Sequence, residues 1–173
     1  YDAEDIEYLR SLGIFYPEFL DYLKDFRFHG DIYAMPEGTV AFPGEILLRF
    51  HGTTTEAMLT ETGLSMIMNH ESLIATKAAR VCYAAKGDAI MEFGLRRAQG
   101  PDAGIFGARA AVIGGCAGTS CVLTGKMFDV PVLGTHAHSW IMSFPDEYTA
   151  FKTYAKLYPN ACTLSLIHIS EPT

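Results

Sequence analysis

The chain has 173 residues, a formal net charge of −7, 49% hydrophobic and 19% charged residues, an ordinary globular composition that is neither disordered nor membrane-embedded. A chain of this length buries roughly 70% of the surface its unfolded form exposes, enough for a core without disulfide staples. The acidic balance argues against nucleic-acid binding, which gathers Lys and Arg on one face to neutralise phosphates, while a local basic cluster can still take a small anion.

Residues 2–28 read as two short helices, the second opening with Pro17 in its first turn and placing Phe19, Leu20, Leu23 and Phe26 at three- and four-residue spacing. The texture then changes. Over residues 30–52, GDIYAMPEGTVAFPGEILLRFHG, Gly and Pro punctuate short β-branched and aromatic runs, the pattern of a strand meander with turns at Glu37-Gly38 and Pro43-Gly44. From about Thr55 to Ala85 the period becomes helical, with Leu59, Thr62, Met66, Asn69 and Leu73 along one face. This run is one bent helix or two, with Gly63 and Asn69-His70-Glu71 as candidate breaks.

After Gly87, short strands alternate with helices. AIMEFG (89–94) reads as a strand and Pro101 starts a helix running to Ile113. GTSCVL follows as a strand, then a short helix from Gly125 to Phe128, strand-like VPVLGT, a helix from Ser139 to Tyr158 and strand-like ACTLSL. Such alternation indicates βα units and a parallel sheet, with active groups on loops just beyond the strand C-termini.

The cysteines (Cys82, Cys116, Cys121, Cys162) have no partner pair or histidine at metal-ligand spacing, so zinc is not expected. No apolar stretch approaches the ~20 residues needed to span a bilayer. The N-terminal YDAEDIEYLR is acidic where a signal peptide is basic. A reduced, cytoplasmic compartment is the expectation.

Three polar clusters fall at or near strand ends. Glu92-Phe93-Gly94-Leu95-Arg96-Arg97 offers two guanidinium forks for phosphate or carboxylate beside a glycine; its plainer reading is a solvated basic turn. Gly114 to Cys121, GGCAGTSC, enters a strand with two adjacent hydroxyls. Such a turn can aim backbone N–H groups at an anion or can be structural, and no Gly-Lys-Ser/Thr closes it as a Walker A loop. In GTHAHSW (134–140), a histidine at a helix start favours its neutral form; His136 and His138 could ligate a metal or simply cap the helix, and no third ligand is near in sequence.

Together these motifs resemble one family. GDIYAMPEGTVAFPGE, NHESLIATKAAR, EFGLRRAQGPDAG, GGCAGTS, GTHAHSW and YPNACTL, in this order from about Gly30 to Leu164, are similar to the nicotinate phosphoribosyltransferases. The resemblance implies an α/β fold: a partial, irregular TIM-like barrel preceded by part of a smaller N-terminal α/β domain. Residues 1–86 would belong to that domain and its linking helices, and 87–164 to the first βα units of the barrel. The implied reaction joins nicotinate to phosphoribosyl pyrophosphate, coupled to hydrolysis of ATP carried with Mg2+, as the first step of NAD synthesis from nicotinic acid. No bound prosthetic group and no resident metal are implied, and the family works as a homodimer.

Carried over by position, His138 matches the histidine that ATP phosphorylates. Thr135 matches a nicotinate contact, and Arg96 and Arg97 match the pair at the nicotinate and phosphoribosyl pocket. Phe93 falls where related nicotinamide enzymes stack an aromatic ring on pyridine. Thr119 and Ser120 fall at the substrate. Ser120 stands where the nicotinamide-using relatives carry Asp, which would repel a carboxylate.

Ala117 and Cys121 replace the Asp and Asn usual in the family. Both chain ends read as cut: the partner-contacting N-terminal segment is not seen, and 165–173, SLIHISEPT, resembles a translated sequencing adapter rather than the family. The alternatives are a catalytically silent piece of this enzyme or a nicotinamide-using relative.

Overall fold

The computed structural model describes residues 1–160 and 162. The fold mixes helices and short strands and divides into two compact units, Tyr1–Met66 and the chain from Ile67 onward. This division falls within one long helix, whereas the sequence reading takes residues 1–86 together.

In the first unit, α1 (Ala3–Ser11) starts at Asp2, whose carboxylate accepts the N–H groups of Glu4 and Asp5 at 2.9 Å each. Asp5 returns the favour to the Asp2 N–H, so free amides of the first turn are satisfied reciprocally. The second helix, α2 (Pro17–Lys24), begins on the proline expected there. Its Leu20 and Leu23 bury against Ile6 of α1, with Leu9, Phe19 and Leu59 packed around them. The expected meander contains one antiparallel pair, β1 (Asp31–Ala34) and β2 (Leu48–His51), in the register Asp31 opposite His51. Both expected turns lie between them, closed by Thr39 N–H to Pro36 O and Glu45 N–H to Phe42 O.

The helical run is one helix, α3 (Thr54–Ala84). Neither Gly63 nor Asn69-His70-Glu71 breaks it. Glu56 in its first turn is buried and accepts the N–H groups of His29 and Thr53 and the Thr53 hydroxyl at 2.8–2.9 Å. Those charge-assisted bonds hold its carboxyl down to about 2.

In the second unit the buried face of α3 is not the one the large residues suggested. Met66 and Leu73 are exposed, and the packed positions are Ile74, Ala78 and Cys82, against Ala111 and Cys116. Close approach explains the choice: a Cβ on Gly114 would lie 2.5 Å from the Ala75 carbonyl oxygen, so small residues meet where the elements touch. The fourth helix, α4 (Pro101–Ile113), spans the predicted range. It is tied to α3 by His70 Nε2 on the Ala103 carbonyl at 3.1 Å and by Arg109 to Glu71 at 3.2 Å.

Parallel pairing is present but brief. Met91–Glu92 (β3) pairs with Gly118–Thr119 (β4), and Thr119 makes a parallel bridge to Val132. The expected strand over GTSCVL ends at Thr119, because Cys121 caps α5 (Val122–Phe128) and Val122 and Leu123 are helical. Tertiary context overrides their β propensity. The single helix expected from Ser139 to Tyr158 is two, α6 (His138–Met142) and α7 (Glu147–Leu157). Pro145 cannot donate to a helical ladder and Asp146 caps the restart, accepting Thr149 N–H at 2.7 Å. The strand expected at ACTLSL and the tail 165–173 lie outside the described residues, apart from Cys162. No helix among the described residues is long and apolar enough to cross a membrane.

Candidate functional site

The three polar clusters leave consecutive parallel strand segments at their C-terminal ends. Backbone bonds run Ala117 N–H to Ile90 O, Ser120 N–H to Glu92 O, Thr119 N–H to Pro131 O and Leu133 N–H to Thr119 O, at 2.7–3.0 Å. The chain can pass this closely because residue 118 is glycine: a Cβ there would sit 2.6 Å from the Pro131 carbonyl oxygen.

Glu92 fastens the first two loops together. One carboxylate oxygen accepts the Thr119 hydroxyl at 2.6 Å, and the other accepts the Gly94 N–H. The Thr119 oxygen in turn accepts the Cys121 N–H at 2.9 Å. Thr119 is fully buried, so the side chain that the resemblance assigned to substrate has both its proton and a lone pair engaged within the protein. Ser120, the next residue, is half-buried.

Beyond Gly94 the chain makes a 3-10 turn, Leu95–Arg97. Leu95 lies over Gly104 of α4, where a Cβ would come within 2.5 Å of its Cδ1. This anchor leaves Arg96 and Arg97 exposed, and neither has an ion pair or side-chain hydrogen bond among the described residues. Phe93 is also exposed. Two uncompensated guanidinium groups beside an open aromatic ring form a natural receiver for a planar anion or a phosphate.

The third loop separates its histidines. His138 is exposed as the first residue of α6. His136 packs between Phe151 and Tyr154, with ring centroids 5.5 and 5.2 Å away. Both His136 ring nitrogens and the Trp140 indole N–H are buried and lack a hydrogen-bond partner, beside a cleft of about 230 Å³ that His136, Trp140, Tyr154 and Tyr158 help to line. Thr135 is half-buried, its hydroxyl donating to the His136 carbonyl at 3.3 Å. Among the described residues no group of three or more His, Cys, Asp or Glu side chains is arranged to hold a metal ion.

Sequence reasoning placed Glu92 in a strand-end cluster but missed it as the joint between loops. The available signal was an acidic residue ending a strand just before glycine, with a hydroxyl pair ending the next strand.

These features define a mixed α/β protein with two exposed arginines beyond one parallel strand end and a half-buried serine beyond the next. Residues 1–69 match the nicotinate phosphoribosyltransferase (NAPRTase) N-terminal domain. The chain is 44% identical over 159 residues to nicotinate phosphoribosyltransferase pncB2 of Mycobacterium tuberculosis, covering 92% of this chain and 34% of that protein. It is 44% identical over 160 residues to nicotinate phosphoribosyltransferase of Bacillus subtilis, covering 92% and 33%. The crystal structure of human nicotinic acid phosphoribosyltransferase superposes with a TM-score of 0.75 at 38% identity, covering 83% of this chain and 29% of that one. That of nicotinate-nucleotide pyrophosphorylase from Pyrococcus furiosus gives 0.68 at 35%, covering 74% and 33%. Over nearly all of its length the chain is similar to nicotinate phosphoribosyltransferases, and it spans about a third of the length of the curated relatives it matches.

Proposed function

We propose that the chain is part of a nicotinate phosphoribosyltransferase. The reaction joins nicotinate to phosphoribosyl pyrophosphate, giving nicotinate mononucleotide and pyrophosphate with coupled ATP hydrolysis, in the cytoplasm. In this reading residues 87–164 supply the first βα units of an irregular TIM-like barrel, and a homodimer completes the site. Exposed Arg96 and Arg97 at a parallel strand end carry the proposal, since both substrates are anions.

In the transfer step the pyridine nitrogen lone pair attacks the ribose anomeric carbon while the bond to pyrophosphate breaks and its electron pair leaves with the pyrophosphate. Positive charge develops on the ribose ring, so positioning and charge stabilisation do more than proton transfer. Arg96 and Arg97 hold the anionic groups, the Phe93 ring stacks on the pyridine, and Thr135 contacts nicotinate. Ser120 leaves room for a carboxylate that an Asp would repel. Buried Thr119, fixed by Glu92, positions Ser120 rather than touching substrate. Exposed His138 attacks the ATP γ-phosphorus with a ring nitrogen, ADP leaves, and hydrolysis of the phosphohistidine drives binding and release.

A second reading is that these residues alone are catalytically silent, favoured by their spanning a third of the matched relatives. The deciding experiment supplies nicotinate, phosphoribosyl pyrophosphate and MgATP and follows nicotinate mononucleotide, for this chain and for a chain of the relatives' full length containing it. Product from the long chain that is lost in Arg96→Ala and Arg97→Ala supports the proposal; full activity in both variants overturns the arginine assignment. Product from the long chain alone selects the silent reading for these residues.

A further inference from the structure

The four cysteines are free thiols, and two of them share one packed cluster. Cys82 lies in the last turn of α3 and Cys116 in the turn before β4, and both belong to the packed cluster of Ala78, Ala111 and Ile90. Gly115, with φ of +111°, brings that turn so near to α3 that a Cβ on it would lie 3.4 Å from Cys82 Cβ and 3.5 Å from Cys82 Sγ. The next residue, Cys116, is buried in the cluster against which Cys82 packs. Neither residue takes part in the proposed transfer chemistry, and nothing in the packing of a small apolar cluster calls for two sulfurs.

We propose that Cys82 and Cys116 are an oxidisable dithiol that closes to a disulfide under peroxide, tying the end of α3 to the base of β4. The two thiols differ in access, which sets the order of events. Cys82 is half-buried, whereas Cys116 is buried. Burial, the adjacent Cys82 sulfur and the Glu92 carboxylate push the Cys116 thiol up to about 11. Cys82 is therefore the sulfur that peroxide reaches first.

In the first step the Cys82 thiolate, having lost its proton, attacks one peroxide oxygen. The O–O bond breaks and the departing hydroxide takes up that proton as water, leaving a sulfenic acid. In the second, Cys116 gives up its proton and its sulfur attacks Cys82 Sγ. The S–O bond breaks and hydroxide leaves as a second water. Two thiols have lost two electrons to one peroxide. Proximity makes the second step intramolecular, which offsets the low thiolate fraction of Cys116.

The test treats the complete chain with a small excess of hydrogen peroxide, blocks remaining thiols with iodoacetamide and maps the peptides without reductant. The expected product is one cross-linked peptide joining Cys82 and Cys116, reversed by dithiothreitol, with Cys121 and Cys162 still alkylated. Over-oxidised Cys82 beside alkylated Cys116, a link through Cys121 or Cys162, or no change at either thiol would each overturn the proposal. The order of events has its own control: in Cys82→Ser, Cys116 should remain fully alkylatable after the same treatment. Oxidation of Cys116 at the wild-type rate in that variant would contradict Cys82 as the first sulfur.

Discussion

The Glu92 carboxylate accepts the Thr119 hydroxyl at 2.6 Å, so the ends of β3 and β4 are joined by side chains as well as by the strand ladder. The same carboxylate holds the Gly94 N–H at the start of the arginine turn, and the same hydroxyl holds the Cys121 N–H at the cap of α5. Replacing Thr119 by valine keeps the shape but leaves a buried amide and a carboxylate oxygen short of a partner. Thr119→Val should destabilise by roughly 1–3 kcal/mol, the cost of orphaning a buried polar group, read as a lower urea midpoint with an unchanged slope. A midpoint equal to wild type would mean that the two loops are held by their backbones alone.

Two glycines make a matched pair of opposite sign. A methyl at Gly118 would lie 2.6 Å from the Pro131 carbonyl oxygen, whereas a methyl at Gly63 in α3 meets nothing within 4 Å. Gly118→Ala should cost about 1–3 kcal/mol through forced separation of the strands. Gly63→Ala should stabilise by about 0.5–1 kcal/mol through lower chain entropy in the unfolded state. Thermal unfolding of both variants checks the pair; a stabilising Gly118→Ala would contradict the close approach that aligns the strand ends.

The parts of the fold legible in sequence were those decided locally. Pro17 and Pro101 marked helix starts by their fixed φ, and Glu37-Gly38 and Pro43-Gly44 marked turns that the structure contains. Long-range packing decided the rest. Periodicity gave α3 its helix but not its buried face, because Gly114 and Ala78 allow an approach that Met66 and Leu73 would prevent. Val122 and Leu123 read as strand and are helical, while Pro145 splits a helix whose apolar spacing runs through it. At the site, the types of the exposed residues were legible from motif and resemblance. The buried connections, Glu92 to Thr119 and the aromatic packing of His136, require residues far apart in sequence to meet.

Acid should act on the first unit through Glu56. Its carboxyl is held at about 2, chiefly by the Thr53 and His29 N–H groups and the Thr53 hydroxyl, and the His29 ring nitrogen lies 3.8 Å away. A carboxyl depressed in the folded state contributes stability above its unfolded value of about 4.3, and that contribution disappears as pH falls from there toward 2. Glu56→Gln should therefore be less stable than wild type at pH 6, with the gap closing steadily below about pH 4. Urea midpoints of both proteins across that range give the test. A gap that stays constant would show that shape, not charge, is what Glu56 supplies.

Substrate choice and the ATP step are separable by two further variants of the catalytically complete protein. If Ser120 admits the nicotinate carboxylate, Ser120→Asp should lower nicotinate turnover at least tenfold, about 1.4 kcal/mol of lost transition-state stabilisation, while nicotinamide turnover falls far less. An equal fall for both substrates would mean that Asp disturbs the loop rather than the carboxylate. Of the two histidines in this loop, His138 is exposed while both ring nitrogens of His136 are buried beside Phe151 and Tyr154, so His138 is the one with a ring nitrogen open to attack the γ-phosphorus. Incubation with γ-labelled ATP should leave acid-labile label on the wild-type protein and on Ser120→Asp. The label should be absent from His138→Ala, and equal labelling of that variant would move the phosphorylated residue elsewhere.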